Sequence, residues 1–327
     1  MIGAPLIEEA TTADIEALGR LRHQMNWSRS EELLGAILRW RGGRIFVIRA
    51  GELSAATGEA AARPAAAIVV TAAPPIGVIG SVMVRPEFQR AGLGRAIMEH
   101  SLTWLTREGV RRVYLDATPA GRPLYRRLGF VDIASSWYTR SWQTAINMDA
   151  LRSLARSGKI ARVTAVTAVG AEGLPRIAAL DQLAYGGDRL DLLDQLARLA
   201  GNDLLIAESA DGAALGYLMT RPPESPVKGM RVGPLVASDD ATAAALLAAA
   251  LEREGPPESR ILSATIAGDN PRALALFDTI GAAPIEDDLI MRLDFPGAPG
   301  DGATPVESEL DGAQRPRVYC WLAPMVF

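Results

Sequence analysis

The amino-acid sequence predicts an α/β chain that folds as two similar domains, each with helices packed around a mixed central sheet. Short segments rich in Val and Ile alternate with amphipathic helical segments. One strand passes into a helix through a turn with two glycines, and the second half of the chain repeats the plan of the first. A chain of 327 residues also has room for about two domains of ordinary size.

The first half predicts its elements in a clear order. A short strand lies near residues 6–10, and Thr11 or Thr12 caps the helix that follows. A second helix starts at Ser30 and ends before the pair Gly42 and Gly43. The remaining elements are strands at 45–48, 66–71 and 76–84, a helix at 92–108, a strand at 113–116, a helix around 123–128 and a strand at 131–142.

The most informative segment joins the strand at 76–84 to the helix at 92–108. It consists of Gln89, Arg90, Ala91, Gly92, Leu93 and Gly94, with Arg95 directly after it. The two glycines let the backbone approach a ligand closely, and the free N–H groups of a new helix favour phosphate oxygens. The segment therefore predicts a pyrophosphate-binding turn. It is neither a dinucleotide fingerprint, whose third glycine would fall on Ile97, nor a P-loop.

The pattern Val-x-Pro-Glu-Phe-Gln-Arg-x-Gly-x-Gly at 84–94 resembles the acetyl-CoA loop of the GNAT N-acetyltransferase superfamily. Downstream, Leu-Tyr-Arg-Arg-Leu-Gly-Phe at 124–130 is similar to that family's tyrosine helix, and the two motifs stand in the family's order. The resemblance implies the mixed α/β GNAT fold. It also implies acetyl-CoA as co-substrate, no metal, and transfer of an acetyl group to a primary amine of a small molecule, or less readily of a protein.

The second half repeats this plan without the glycine turn. Residues 163–174 echo 7–18, and 185–193 echo 27–34. Asp239 and Asp240 stand at the corresponding helix start, and Phe277 stands where the first copy has Tyr125. Negative charge there repels a pyrophosphate, so we expect only the first domain to hold acetyl-CoA.

Two segments of the second half carry a narrower resemblance. Residues 187–189 and 231–236 resemble the divergent C-terminal domain of tandem GNAT proteins of the YitH type. The predicted limits are a catalytic domain at 1–146, a linker at 147–159 and a degenerate domain at 160–327. The apolar stretch at 318–327 is interpreted as a final strand of the degenerate domain.

The family resemblance implies roles for particular residues. The backbone of Val82, Met83 and Val84 pairs with the thioester carbonyl and the pantetheine amides, and the segment from Gln89 to Arg95 binds the pyrophosphate. Tyr125 is the candidate general acid, since a phenol with a pKa near ~10 is protonated at neutral pH. Thr118 stands where the family often has Asn, and its hydroxyl could bond pantetheine or water.

Several alternatives stay open for the base and the acceptor site. Asp116 could act as general base through water or could simply cap a turn, Glu31 and Glu32 could only start a helix, and a water chain could serve instead. The candidate acceptor-site residues are Met25, Asn26 and Trp27, with Asp181, Tyr185 and Asp188 in the second copy. A non-catalytic acyl-CoA-binding or sensor protein with a partner-binding C-terminal domain is the alternative function.

Composition limits the remaining classes. The net charge of −4 argues against nucleic-acid binding. The single cysteine, Cys320, cannot form an internal disulfide, which favours the cytoplasm. His23 and His100 with one cysteine make no zinc pattern. Neither a signal peptide nor a membrane-spanning segment is expected. A small-molecule amine is the expected partner, and a homodimer is left open.

Overall fold

The computed structural model describes residues 5–27, 29–53, 58, 62–142, 145–166, 173–222, 229–253, 261–282, 285–296 and 317–320. The chain divides into two compact units. The first holds Met1–Asp132 and Met291–Ala298, and the second holds Ile133–Ile290 and Pro299–Leu322. Each unit is an α/β structure with a mixed sheet, as the sequence predicts.

Within its described residues, the first unit contains five consecutive strands and four α-helices. Its strands are β1 (Glu8–Glu9), β2 (Gly43–Arg49), β3 (Pro64–Ala73), β4 (Ile76–Val84) and β5 (Arg112–Ala117). Its helices are α1 (Ile15–Gln24), α2 (Glu31–Arg39), α3 (Leu93–Arg107) and α4 (Arg122–Arg127). The strands lie side by side in chain order, antiparallel up to β4, and β4 and β5 run parallel.

The core of the first unit follows from its apolar patterns. All ten residues of β3 are buried, which requires cover on both faces of the sheet. Helix α3 packs on β2, β3 and β4 and buries Leu93, Ile97, Met98 and Leu105, which recur at helical spacing. Thr11 and Asp14 form a capping box before α1, so the predicted cap is confirmed at Thr11.

The second unit repeats this order of elements. Its strands are β6 (Val131–Trp142), β7 (Arg162–Val166), β8 (Asp203–Glu208), β9 (Ala214–Arg221), β10 (Gly229–Ala237), β11 (Ile261–Ala267), β12 (Ile285–Asp294) and β13 (Arg317–Cys320). Its helices are α5 (Met148–Ala155), α6 (Leu174–Tyr185), α7 (Leu190–Ala197), α8 (Asp240–Arg253) and α9 (Pro271–Thr279). The strand order is β6-β11-β10-β9-β8-β7, and β13 pairs with β10.

Strand β6 differs from the expectation that it completes the first unit. It pairs antiparallel with β11 of the second unit, from Ser136 opposite Ala267 to Trp142 opposite Ile261. The first unit instead includes the end of β12, where Arg112 Nε lies 2.6 Å from an Asp294 oxygen. Every strand offers the same backbone donors and acceptors, so the local sequence of β6 does not specify which strands it pairs with.

The predicted linker at 147–159 contains helix α5. Asn147 caps the helix by accepting a hydrogen bond from the Ala150 N–H at 3.0 Å. Leu151 is fully buried in the core of the second unit, and Arg152 pairs with Glu252 of α8 at 2.9 Å. The segment is therefore a packed part of the second unit. Across the described parts of the chain, no helix is long and apolar enough to cross a membrane.

Candidate functional site

A cleft between two parallel strands defines the candidate site of the first unit. Strands β4 and β5 pair from Ile76 opposite Arg112 to Ile79 opposite Leu115, and their pairing ends there although both strands continue. Directly after this point β4 carries an extra residue relative to β3, a β-bulge. A bulge bends and twists its strand, so β4 turns away from β5. Its backbone beyond Gly80 is thereby available to an extended ligand.

Helix α3 begins beyond the end of β4 without a side-chain cap. Gly92 precedes the helix at φ +85°, no side chain in this described segment bonds to its first N–H groups, and its first turn has no acidic residue. A Cβ atom on Gly92 would meet nothing within 4 Å, so the glycine serves the left-handed backbone and not a tight contact. The start of α3 therefore presents unscreened N–H groups to an anion.

The residues around this turn add positive charge and hold it in place. Arg90 has a φ of +63°, which is uncommon for a residue other than glycine and is typical of functional turns. Gln89 donates its side-chain amide to the Val84 carbonyl at 3.1 Å and so ties the turn to the end of β4. Arg95 is exposed and pairs with Glu99 at 2.8 Å. The pKa of the Arg85 guanidinium is lowered, mainly by burial and next by the positive charge of Arg63.

Helix α4 brings Tyr125 close to the same turn. A Cβ atom placed on Gly94 would lie 3.5 Å from Leu124 and 3.7 Å from Val84, so β4, α3 and α4 converge at Gly94. Tyr125, the next residue after Leu124, is 8% exposed. A Cβ atom on Gly121 would lie 2.6 Å from its ring and 3.0 Å from its hydroxyl oxygen. Only glycine leaves room for this position of the phenol.

The other predicted site residues are spread around the cleft. Val82 and Val84 are half-buried, whereas Met83 points into the core and is fully buried. Ala91 is exposed, and Leu93 is a buried residue of α3. Thr118 is exposed, and its carbonyl accepts from the Gly121 N–H at 2.9 Å at the start of α4.

The candidates for base and acceptor contacts have the following positions. Asp116 is half-buried near the end of β5, and Glu31 pairs with Arg29 at 2.5 Å. Glu32 and Asn26 are exposed, and Met25 is half-buried. Within the described residues, no group of three His, Cys, Asp or Glu side chains could hold a metal ion.

Sequence reasoning missed Arg22. Its side chain is fully buried on α1, Nη1 donates to the Ser81 hydroxyl at 2.5 Å, and the guanidinium lies 5.6 Å from the centre of the Trp27 ring. Ser81 is the bulge residue at φ +48°, so a buried cation holds the bend that opens the cleft. The signal was present: Arg22 follows Leu18 by four residues, within the apolar face of α1.

The second unit has a corresponding cleft between its parallel strands, but a carboxylate occupies the start of the adjoining helix. Strands β10 and β11 also pair in parallel over four residues, from Gly229 opposite Ile261 to Val232 opposite Ala264, and β10 then bulges. At the start of α8, an Asp239 oxygen accepts from the Thr242 N–H at 2.7 Å. This carboxylate occupies the helix start, where the first unit has Gly92.

A buried ion pair lies in the region of the second unit that corresponds to the candidate acceptor-site residues Met25, Asn26 and Trp27. Asp181 and Arg189 are at most 4% exposed, with Arg189 Nη2 2.8 Å from an Asp181 oxygen, and the Tyr217 hydroxyl donates to the same carboxylate. The Arg189 guanidinium lies 3.9 Å from the centre of the Tyr185 ring. Burial is the largest influence on the pKa of Arg189 and lowers it, but the charge and hydrogen bond of Asp181 together with the hydroxyls of Tyr217 and Tyr185 raise the pKa overall. The pKa of Tyr217 is raised well above its usual value, mainly by burial and next by the negative charge of Asp181. The buried charges of Asp181 and Arg189 therefore neutralise each other within the second unit.

The mixed sheet with a splayed parallel pair, the glycine turn and the tyrosine helix define the acetyltransferase class of α/β proteins. The profile described as the acetyltransferase (GNAT) family matches residues 13–130, and the profile described as the acetyltransferase (GNAT) domain matches residues 177–302. Together they cover most of the chain, which therefore belongs to the GNAT family as two domains in tandem.

One curated relative carries the narrower resemblance. The chain is 31% identical over 183 residues to the N-acetyltransferase YitH of Bacillus subtilis strain 168, a protein described as uncharacterised. The match covers 54% of this chain and 57% of YitH, so it spans little more than half of that relative. The similarity to a YitH-type protein is confirmed.

Solved structures share the fold over nearly the whole chain. An acetyltransferase-family protein of Pyrococcus horikoshii superimposes with a TM-score of 0.67 at 20% identity, covering 90% of this chain and 91% of that one. A tandem GNAT protein from the clavulanic acid biosynthesis pathway gives a TM-score of 0.58 at 16% identity, covering 90% and 99%. These likenesses confirm the tandem fold.

Proposed function

We propose that this chain is an acetyl-CoA-dependent N-acetyltransferase whose first unit binds the coenzyme and acetylates a primary amine of a small molecule. The observation that carries the proposal is the open cleft of the first unit. There the parallel pairing stops at Ile79, α3 starts at Gly92 without a cap, and Tyr125 lies on the adjoining helix.

The residues present fit acetyl-CoA. A pyrophosphate needs backbone N–H donors and positive charge, and the turn from Gln89 to Gly94 offers both without a competing carboxylate in the first turn of α3. A pantetheine chain carries amides that can pair with an exposed strand edge, and β4 offers such an edge beyond its bulge. Val82, Met83 and Val84 supply that edge. Bound there, acetyl-CoA would supply an acetyl thioester.

The chemistry assigned to the chain is proton transfer. We assign Tyr125 as the general acid that protonates the departing thiolate, because a phenol is protonated at neutral pH and this ring lies close to Gly121, with its centre 6.1 Å from that of Phe130. Thr118 stands at the start of the same helix and is placed to bond pantetheine or water. The acceptor amine must lose a proton, and Asp116 acting through water is the carboxylate that we place nearest to this task.

The experiment that tests the proposal is calorimetric titration of acetyl-CoA into the full chain and two matched variants. Gly92→Glu adds a carboxylate at the start of α3. Gly212→Glu adds the same charge in the second unit at a glycine with the same φ of +85° and nothing within 4 Å of its Cβ position. The backbone strain of the two changes is therefore equal, and only their location differs.

We expect one acetyl-CoA bound per chain in the wild type and in Gly212→Glu, with affinity at least about a hundredfold lower in Gly92→Glu. Binding unaffected by Gly92→Glu, or no binding by the wild type, would refute the assignment of the site. Release of free thiol is then followed with a panel of small primary amines. Binding without thiol release, with both small amines and lysine peptides, would instead favour the acyl-CoA-binding or sensor function.

A further inference from the structure

The cleft of the second unit already contains a strand. Beyond Val232, where β10 stops pairing with β11, β10 pairs antiparallel with β13. Leu235 lies opposite Cys320, Val236 opposite Val318 and Ala237 opposite Arg317, with one extra residue of β13, Tyr319, between the first two pairs. Because Gly80 and Val232 are the last regularly paired residues before the two bulges, Leu235 and Val236 correspond to Met83 and Val84 of β4, within the edge assigned to pantetheine in the first unit.

The correspondence of the two strands is set by their ladders. In each unit the parallel ladder ends at the start of the bulge or one residue before it, at Ile79 in β4 and at Val232 in β10. The first free stretch of edge after each bulge is therefore the same place in the fold. In the second unit this edge carries a polypeptide strand.

We propose that the β10–β11 cleft of the second unit is a binding slot for an extended polypeptide strand, filled in this chain by its own residues 317–320. The slot takes no acyl-CoA, because main-chain hydrogen bonds from β13 use the edge of β10 that a pantetheine would need. The other end of the cleft is closed separately, since Asp239 bonds the helix N–H that would meet a phosphate.

Covalent attachment favours the strand over a free ligand. A segment tethered to its own binding site has an effective concentration on the order of millimolar. A coenzyme would have to displace it and also overcome the negative charge of Asp239 and Asp240 at the start of α8. Residues opposite each other in antiparallel strands have Cα atoms about 4.5–5.5 Å apart, a separation that a disulfide can bridge.

The single cysteine of the chain provides a direct test in the full-length protein. Leu235→Cys places a thiol opposite Cys320, whereas Met230→Cys places one on the same strand, equally buried, but within the part that pairs with β11. Each variant is treated with diamide, which accepts the two electrons as the disulfide forms. Intrachain cross-linking is followed by mass spectrometry and non-reducing electrophoresis, with and without saturating acetyl-CoA.

We expect rapid intrachain cross-linking of Leu235→Cys, at least about tenfold faster than that of Met230→Cys, and the same rate with and without acetyl-CoA. Absence of the Leu235→Cys cross-link would overturn the proposal, because the strand would not lie where its register places it. A cross-link slowed by acetyl-CoA would also overturn it, because the coenzyme would then compete for the slot.

A second variant tests the kind of ligand. Val318→Pro together with Cys320→Pro removes two N–H groups from β13 and disfavours its pairing with β10. We expect this variant, but not the wild type, to bind a labelled peptide of the sequence RPRVYCWL. Uptake of a second acetyl-CoA by the variant in place of the peptide would refute a polypeptide slot. Failure of the first-unit site would appear separately, as lost coenzyme binding by the wild type.

Discussion

The starts of helices α3 and α8 occupy the same position in two copies of one fold, yet they are built in opposite ways. In the first unit, Gly92 leaves the first N–H groups of α3 without a side-chain partner. In the second unit, Asp239 bonds the Thr242 N–H, and Asp240 pairs with Arg272 at 2.5 Å. One helix start can receive an anion, and the other has an anion built into the chain.

The strands beside these helices differ in the same sense. Both β4 and β10 part from their parallel neighbour near a bulge, and among the described residues β10 alone then pairs with another strand, β13. A fold that opens a cleft must satisfy the backbone groups it exposes, either with a ligand or with protein. In the second unit protein groups satisfy both places, since Asp239 bonds the start of α8 and β13 pairs with β10.

The largest expected effect separates two tyrosines. Tyr125→Phe should lower kcat about a hundredfold with acetyl-CoA affinity nearly unchanged, because it removes only the proposed acid. Tyr217→Phe should leave kcat unchanged and lower the free energy of unfolding by about 1–3 kcal/mol, because it removes a hydrogen bond to buried Asp181. Steady-state kinetics and urea unfolding measure both. Equal loss of activity in the two variants would contradict a catalytic role for Tyr125 and a purely structural role for Tyr217.

The next effect concerns the space around the acid. Gly121→Ala should lower kcat about tenfold at unchanged coenzyme affinity, because its methyl group would lie 2.6 Å from the Tyr125 ring and must displace it. Gly173→Ala is the matched control, since Gly173 precedes α6 with a φ of −84° where Gly121 has −82° before α4. Unchanged kcat in Gly121→Ala would remove the argument for a fixed phenol.

Alkaline pH should act on the second unit through Tyr217. Burial raises the pKa of Tyr217 above its ordinary value of 10.0, so above that pH the unfolded state loses a proton that the folded state keeps. Stability from this group is complete below pH 10.0 and falls as pH rises, by up to about 1.4 kcal/mol per pH unit. In urea unfolding between pH 9 and 11, the free energy of unfolding should fall less steeply with pH in Tyr217→Phe than in the wild type. Identical slopes would mean that Tyr217 does not titrate as described.

The smallest effect is the helix cap. Asp239→Ala should cost about 1 kcal/mol of unfolding free energy, close to the cost of Asn270→Ala, whose side chain caps α9 by accepting from Ala273 N–H at 3.0 Å. Asp239→Ala should not create a second acetyl-CoA site while β13 occupies the cleft of the second unit. Denaturation and calorimetry on both variants decide this, and two bound equivalents in Asp239→Ala would show that charge alone had closed the second site.

Much of the fold was readable from local sequence. Strand β4 lies at the predicted 76–84, and α3 at Leu93–Arg107 lies within the predicted 92–108, because apolar periodicity and glycine turns act over a few residues. The family was indicated by short motifs around Gly92 and Tyr125, and the tandem repeat by the likeness of 163–174 to 7–18 and of 185–193 to 27–34. The roles of the site residues stay predictions. The domain limits 1–146 and 160–327 also stay predictions.

Other features depend on partners far apart in the chain. The pairing of β6 with β11 and the place of Asp294 beside Arg112 join residues more than a hundred positions apart. The apolar face of α1 indicates that Arg22 is buried, but only the fold places its guanidinium on Ser81 of the β4 bulge. No local pattern encodes such contacts, because they arise from which sheet edge and which face remain unfilled once the elements pack.

By itself, the sequence determined the α/β class, the two copies and the one glycine turn, since these depend on local propensity and on residue types that few backbones tolerate. The sequence also assigned 318–327 to a strand of the second domain; residues 318–320 do pair there, and 321–327 lie outside the described residues. Only the tertiary structure decided that α5 packs into the second core, that strand 131–142 pairs with β11, and that 317–320 pairs with β10. The physical reason is that a strand edge is specified by its backbone groups, which every sequence shares, so the choice of edge is made by packing and connectivity.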